Sequence, residues 1–310
     1  MAIVKTDIPM TWRLCRDTIE ALVQTYPSCR SQVLTTTAYG RDIPTLVVGS
    51  GPRRVLFSAA HHANEWITTP VLLKFVEELA EAGSTGGRIF GVPARTILEQ
   101  VTVHTVPMVD PDGVDLVTGA IRPGSPEYRD AENLASFYPN IPFPQGWKAN
   151  LLGVDLNLQY PAGWLQAREI KFSQGFIRPG PRDYVGRAPL NQRESAALAA
   201  YTEEVNPAVI LAYHTQGRVI YWQFRDYDIP GARELGEEFA RLSGYALADT
   251  PYESSFAGYK DWFIQNFGRP GYTVEVGEGE NPLPLSQFDE IYRDNLGILV
   301  TAATGLPGGA

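Results

Sequence analysis

Two residues three positions apart, His62 and Glu65, lie where a metal-binding pair would be placed. Before them runs Val55-Leu56-Phe57, an apolar stretch that reads as a buried strand. Small residues (Ser58, Ala59, Ala60) follow, and from Ile67 the spacing of Val71, Leu72, Phe75, Val76 and Leu79 is helical. The pair therefore falls at the carboxyl end of a strand, the edge of an open α/β sheet where ligands bind. An imidazole and a carboxylate in such a turn can reach one metal ion. The pair alone is weak, because His-x-x-Glu occurs often by chance and a buried histidine beside a carboxylate is commonly structural. Two later strand ends strengthen it. Residues 209–213 form a strand-like run that stops at His214, and the run 272–276 carries Glu275. A catalytic zinc site needs three protein ligands and an open fourth position. His62, Glu65 and His214 supply the three, one ion per chain, and Glu275 is placed to take a proton from a water.

The elements that must position these residues follow from the rest of the chain. At 310 residues and 44% hydrophobic, it can build one large core or two small ones. Residues 11–26 read as an amphipathic helix with Thr11 as N-cap. Strands are expected at 31–38, 44–48, 54–60, 101–106, 208–213 and 218–223, and helices at 67–82, 229–243, 257–266 and 285–303. Asn191, with Glu194 three residues later, reads as a variant capping box before another helix. The Gly/Ser-rich stretch 83–91 is the segment expected to be disordered. Residues 119–150 and 159–190, rich in Pro, Gly and aromatics, are expected to be long loops that wall a pocket. Strands alternating with helices argue for a sheet covered on both faces.

Charge and composition exclude several roles. A net charge of −9 argues against a nucleic-acid partner. No run of twenty apolar residues exists, so no membrane span is expected. The first residues carry no secretory signature, so a cytoplasmic location is expected, with export by another route or a spore-associated role as the alternative. Cys15 and Cys29 read as two thiols rather than a disulfide framework.

The motifs, taken in order, resemble those of the carboxypeptidase A-like zinc metallopeptidases: HHANEWITT at 61–69, GVDLN at 153–157, the strand end at His214 and YTVEVGEG at 272–279. The wording is most similar to one branch, the bacterial γ-D-glutamyl-L-diamino-acid endopeptidases of peptidoglycan, through HHANEW, GVDLNLQYPAGW, HTQGRVIYW, FAGYKDWF and EVGEGENPLP. The resemblance implies one catalytic domain over 1–310, a single α/β/α domain with a mixed, roughly eight-stranded twisted sheet.

It also implies roles residue by residue. Asp155 matches the Asp that orients the first zinc-ligand histidine, here His62. Asn157 matches the Asn that binds a substrate carboxylate or carbonyl. Ordinary carboxypeptidases follow it with an Arg that clamps the substrate's terminal carboxylate; this chain has Leu158. Lys148, nine residues before Asn157, falls near a basic residue that stabilises the oxyanion in short-loop members; a solvated loop lysine is the plain alternative. Tyr252 stands about where the family keeps a mobile substrate-binding Tyr, or is a packed loop aromatic. Lys260, just before Asp261-Trp262, corresponds to the floor of the pocket for the residue after the cut, or is a surface helix lysine. Of Arg168, Lys171, Arg182 and Arg187, most read as solvated, and one is free to replace the missing clamp. His61 is expected to point away from the metal, and His104 to sit within the sheet.

The reading that results is a zinc metallopeptidase cutting the γ-D-glutamyl-L-diamino-acid bond of stem peptides, with meso-diaminopimelate as the diamino acid. In it Glu275 deprotonates the attacking water and Lys148, beside the zinc, faces the oxyanion. The partner is a peptidoglycan-derived peptide. The alternatives are a metallocarboxypeptidase removing acidic or diamino C-terminal residues, and a muropeptide-binding sensor without catalysis.

Overall fold

Side-chain alternation along the central strands sets the layers of the molecule. The computed structural model describes residues 2–305. Its strands are β1 (Cys29–Arg30), β2 (Val33–Thr36), β3 (Asp42–Pro44), β4 (Leu46–Val48), β5 (Arg53–Ala59), β6 (Arg88–Ile89), β7 (Val92–Pro93), β8 (Val101–Val106), β9 (Ile210–His214), β10 (Val219–Tyr221), β11 (Ala246–Ala248) and β12 (Gly271–Glu275). Its helices are α1 (Trp12–Thr25), α2 (Thr68–Thr85), α3 (Ala94–Gln100), α4 (Pro111–Val117), α5 (Pro126–Ala135), α6 (Trp164–Ser173), α7 (Arg193–Val205), α8 (Ala232–Ser243), α9 (Tyr259–Phe267) and α10 (Phe288–Thr304). Eight strands form one sheet in the order β1-β4-β8-β5-β9-β12-β10-β11, and β2-β3 and β6-β7 form separate pairs.

The sheet is mixed. Its centre, β8-β5-β9-β12, is parallel, whereas β1-β4, β4-β8 and β12-β10 are antiparallel. Successive residues of a strand face opposite sides. Val55, Phe57 and Ala59 of β5, Leu211 and Tyr213 of β9, and Tyr272 and Val274 of β12 therefore share one apolar layer with α1, α2, α3, α8 and α10. Leu56, Ile210 and Ala212 face the other side, under α6, α7 and α9. Burial on both faces explains why these strands are continuously apolar. A third, smaller cluster of Leu116, Ala131, Trp147 and Leu151 packs beneath the 119–150 segment. The result is a single α/β domain, as the alternation of elements predicts.

Several boundaries differ from expectation, for local reasons. The stretch 83–91 is ordered. Helix α2 continues to Thr85, Gly86 closes it at φ 75° with its N–H on the Ala82 carbonyl, and β6-β7 follows as a short hairpin. Gly83 is there for packing, since a Cβ at that position would collide with the Leu98 side chain of α3. The Asn191–Glu194 pair does not cap α7. The N-cap is Gln192, without a side-chain bond, and Glu194 is buried, accepting from Asn150 Nδ2 at 3.3 Å. The long segments 119–150 and 159–190 contain helices α5 and α6. Thr11 caps α1 as expected, accepting from the Leu14 N–H at 3.2 Å. Cys15 and Cys29 are both buried free thiols, and burial raises their pKa values to about 12 and about 11. Among the described residues no helix is long and apolar enough to cross a membrane.

Candidate active site

The sheet's carboxyl edge gathers side chains from three neighbouring strands. β5 ends at Ala59, Ala60 turns the chain at φ 47° with its N–H on Thr68 Oγ1 at 3.0 Å, and a 3₁₀ turn at Ala63–Glu65 presents His62 and Glu65. β9 ends at His214 and β12 at Glu275, and the parallel register pairs these two residues directly. The parallel centre thus brings residues 62, 65, 214 and 275 to one edge, although 213 positions separate the first from the last.

His62, Glu65 and His214 are all buried, and each offers a donor atom within 4.8 Å of the others. Glu65 Oε1 lies 2.9 Å from His62 Nδ1, Glu65 Oε2 lies 2.8 Å from His214 Nδ1, and the two Nδ1 atoms are 3.2 Å apart. Two nitrogens at about 2.1 Å from a tetrahedral zinc ion are roughly 3.4 Å apart, so this donor set fits that ion. On its far side His62 Nε2 faces Asp155 Oδ1 at 3.0 Å. A carboxylate there holds the proton on Nε2 and leaves the Nδ1 lone pair for the metal. Asp155 is itself fixed, since Oδ1 also accepts the Asn157 N–H and Oδ2 accepts the Asp183 N–H.

The electrostatics point the same way. Burial lowers the pKa of His62, but the Glu65 and Asp155 carboxylates outweigh it and raise it to about 9. Burial works to raise Glu65, yet His62, Lys148 and His214 together hold it well below the usual range. Glu275 is raised to about 8 by burial and by the nearby Glu65 charge. A carboxylate near neutrality is suited to moving protons in both directions.

An open cavity of about 240 Å³ lies over this edge. His62, His214, Asp155, Asn157, Lys148, Glu275 and Lys260 all line it, and Glu65 sits beneath. Lys148 Nζ is 3.0 Å from Glu65 Oε1; its backbone carbonyl accepts the Ala63 N–H and its N–H donates to Pro181. That places it over the donor trio rather than in solvent. Asn157 Oδ1 accepts the Tyr259 N–H at 3.0 Å, and its Nδ2 has no protein partner among the described residues. Lys260 is 4% exposed and is not a surface lysine: its Nζ donates to the Gln223 carbonyl and is 2.6 Å from Asp261 Oδ1. Tyr252 is not brought into this constellation. It is 67% exposed, its ring edge-on to Phe256, while its neighbours Pro251 and Ser254 line the cavity.

The remaining basic residues and histidines separate into cavity-lining and structural ones. Lys171 and Arg182 line the cavity and share one carboxylate, Asp183, at 2.8 and 2.6 Å. Arg168 lies over the Phe172 ring instead, and Arg187 is exposed. Tyr221, one of the HTQGRVIYW residues, also faces the cavity. His61 stacks on His214 at 5.5 Å, outside the donor trio, and His104 bonds the Tyr201 hydroxyl at 2.7 Å. Asn281 ties the loop after β12 to the end of β9, accepting from the Thr215 hydroxyl and donating to the Thr215 carbonyl.

Comparison with known proteins gives the chain a family. A family model described as zinc carboxypeptidase matches residues 15–297. The chain is 42% identical over 303 residues to the γ-D-glutamyl-L-diamino acid endopeptidase 1 of Lysinibacillus sphaericus, covering 94% of this chain and 74% of that protein. It is 36% identical to the uncharacterized protein YqgT of Bacillus subtilis strain 168, covering 91% and 73%. Among solved structures, bovine thrombin-activatable fibrinolysis inhibitor superposes with a TM-score of 0.74 at 15% identity, covering 96% of this chain and 97% of that one, a likeness of fold.

Proposed function

Because this chain belongs to the zinc carboxypeptidase family, we propose that it is the zinc-dependent endopeptidase that cuts the γ-D-glutamyl-L-diamino-acid bond of peptidoglycan stem peptides. The observation that carries the reading is the shape of the cleft. Where a carboxypeptidase clamps the end of its substrate, this chain places Leu158, a buried apolar side chain with no bond to give a terminal carboxylate. Beyond Lys148 and Glu275 the cleft continues into a second cavity of about 780 Å³, so both sides of a scissile bond have room. The Lysinibacillus relative carries this activity in its name.

His62, Glu65 and His214 would hold one zinc ion per chain. Zinc in that position supplies Lewis-acid polarisation of the reacting groups. The chain's own residues do the rest. Glu275, as the carboxylate, takes the proton of the attacking water and returns it to the leaving amine. Lys148 presents an ammonium to the charge that develops on the carbonyl oxygen. Asp155 keeps His62 in the ligating tautomer, and Asn157 Nδ2 is free to orient the substrate. Lys260, already bonded to Asp261 and the Gln223 carbonyl, keeps one ammonium N–H for the far carboxylate of diaminopimelate.

The test uses the tetrapeptide L-Ala-γ-D-Glu-meso-diaminopimelyl-D-Ala and mass spectrometry, with and without a zinc chelator. The reading requires diaminopimelyl-D-Ala as the product and loss of cleavage on chelation. Release of free D-Ala would identify a carboxypeptidase instead, and no cleavage with retained peptide binding would identify a sensor.

A further inference from the structure

The two cavities of the cleft share four residues, Lys148, Arg182, Tyr221 and Glu275. Lys148 and Glu275 mark where the bond is cut, so Arg182 stands at the boundary between the two sides of the substrate. It is the one guanidinium among the described residues that lines both.

Its surroundings hold it in place without using it up. Arg182 Nε binds Asp183 Oδ2 at 2.6 Å, and neither Nη1 nor Nη2 has a protein partner among the described residues. The side chain remains 42% exposed. Both of its neighbours are pinned. The Pro181 carbonyl accepts the N–H groups of Lys148 and Ala149 at 2.7 and 2.9 Å. Asp183, at φ 64°, donates its N–H to Asp155 Oδ2 and pairs with Lys171. A non-glycine residue in the left-handed region persists only where such contacts fix it. The cations of the cavity are not paired alike. Lys260 has Asp261 to itself, whereas Lys171 and Arg182 share the single Asp183 carboxylate. Arg182 therefore meets that carboxylate through Nε alone, and its free face is the paired Nη edge, the geometry that binds a carboxylate through two parallel bonds.

We propose that Arg182 is a specificity residue that holds the free α-carboxylate of the γ-linked glutamyl residue on the amino side of the cut. This rests on the endopeptidase reading. A γ-linked glutamyl residue differs from an ordinary α-linked one in keeping its α-carboxylate, four bonds from the scissile carbonyl carbon. In a stem peptide that continues past the diamino acid, whose own α-carboxyl is then an amide, that is the substrate anion nearest the scissile carbonyl, whereas the remaining carboxylate of the diamino acid lies at the far end of its side chain, on the Lys260 side. A guanidinium with its Nη edge free beside the reacting centre favours substrates that carry this charge over those that lack it.

The experiment compares two peptides on the zinc-loaded enzyme: L-Ala-γ-D-Glu-meso-diaminopimelyl-D-Ala and the same peptide with the glutamyl α-carboxylate amidated. The wild type is expected to favour the acid by about tenfold or more in kcat/KM, chiefly through KM, the scale of a charge-assisted bond. Arg182→Gln should bring the acid peptide down to the level of the amidated one and leave the amidated peptide almost unchanged. Arg182→Lys, which keeps the charge and loses the fork, should fall between. A variant that slowed both peptides equally, or a wild type that cut both at the same rate, would overturn the assignment alone. A wild type that cut neither would overturn the endopeptidase reading and the assignment with it.

Discussion

Replacing Asp155 by Asn tests how the metal site is held. The carboxylate accepts three bonds, from His62 Nε2 at 3.0 Å, the Asn157 N–H at 3.1 Å and the Asp183 N–H at 3.2 Å. A carboxamide cannot keep all three. With its oxygen towards His62 and Asn157, its NH₂ group faces the Asp183 N–H, and two buried donors oppose each other. With the amide reversed, NH₂ faces two donors, and His62 can pair with it only by moving its proton to Nδ1, the atom needed for the metal. The first arrangement loses less, so the fold survives at a cost of about 1–3 kcal/mol, the penalty of one unsatisfied buried group. His62 also loses the charge that increases its basicity. Losing such an outer carboxylate weakens metal binding by about 10–100-fold, or roughly 1.4–2.8 kcal/mol. The assay is a zinc titration against a competing chelator, with a thermal melt of the metal-free protein alongside. Zinc affinity unchanged within a factor of about two, despite a lowered melting temperature, would show that Asp155 braces the loop and does not tune the ligand.

Glu275→Gln keeps shape and removes the base, so kcat should fall by about 100-fold or more while zinc content stays the same; loss of zinc in that variant would make Glu275 a ligand. Wild type should prefer diaminopimelate over lysine peptides by at least about tenfold in kcat/KM, equivalent to roughly 1.4 kcal/mol. Lys260→Met leaves Asp261 unpaired in the pocket and should invert that preference towards lysine, and an unchanged ratio would remove Lys260 from substrate selection. His104 is held down to about pKa 4 by burial, with Arg30 and Arg54 adding to it. A histidine depressed below its unfolded value binds fewer protons when folded, so stability is expected to fall as pH drops from about 6.5 towards 4. His104→Gln should flatten that part of the melting-temperature profile; an identical profile would place the acid sensitivity elsewhere.

Much of this protein is written in short stretches of its sequence. Continuous apolar runs ending at small residues, His214 or Glu275 located the central strands, because a strand buried on both faces must be apolar throughout. The spacing of His62 and Glu65 is local, so its chemistry was readable before any fold was known. Leu158 takes its meaning from the family resemblance, which sets a carboxylate-clamping Arg at that position. Tertiary structure decided what depends on distant contacts. The stretch 83–91 reads as disordered by composition, yet Gly83 is small because α3 packs on it. Glu194 looks like a helix cap and is instead drawn inward by Asn150. Lys260 and Arg182 are ordinary cations in the sequence. Only the folded chain sets Asp261 against the first and leaves the second with its outer nitrogens free. A side chain's charge is fixed by its type, but whether that charge is spent within the protein or offered to a substrate depends on which neighbours the fold brings within a few ångströms.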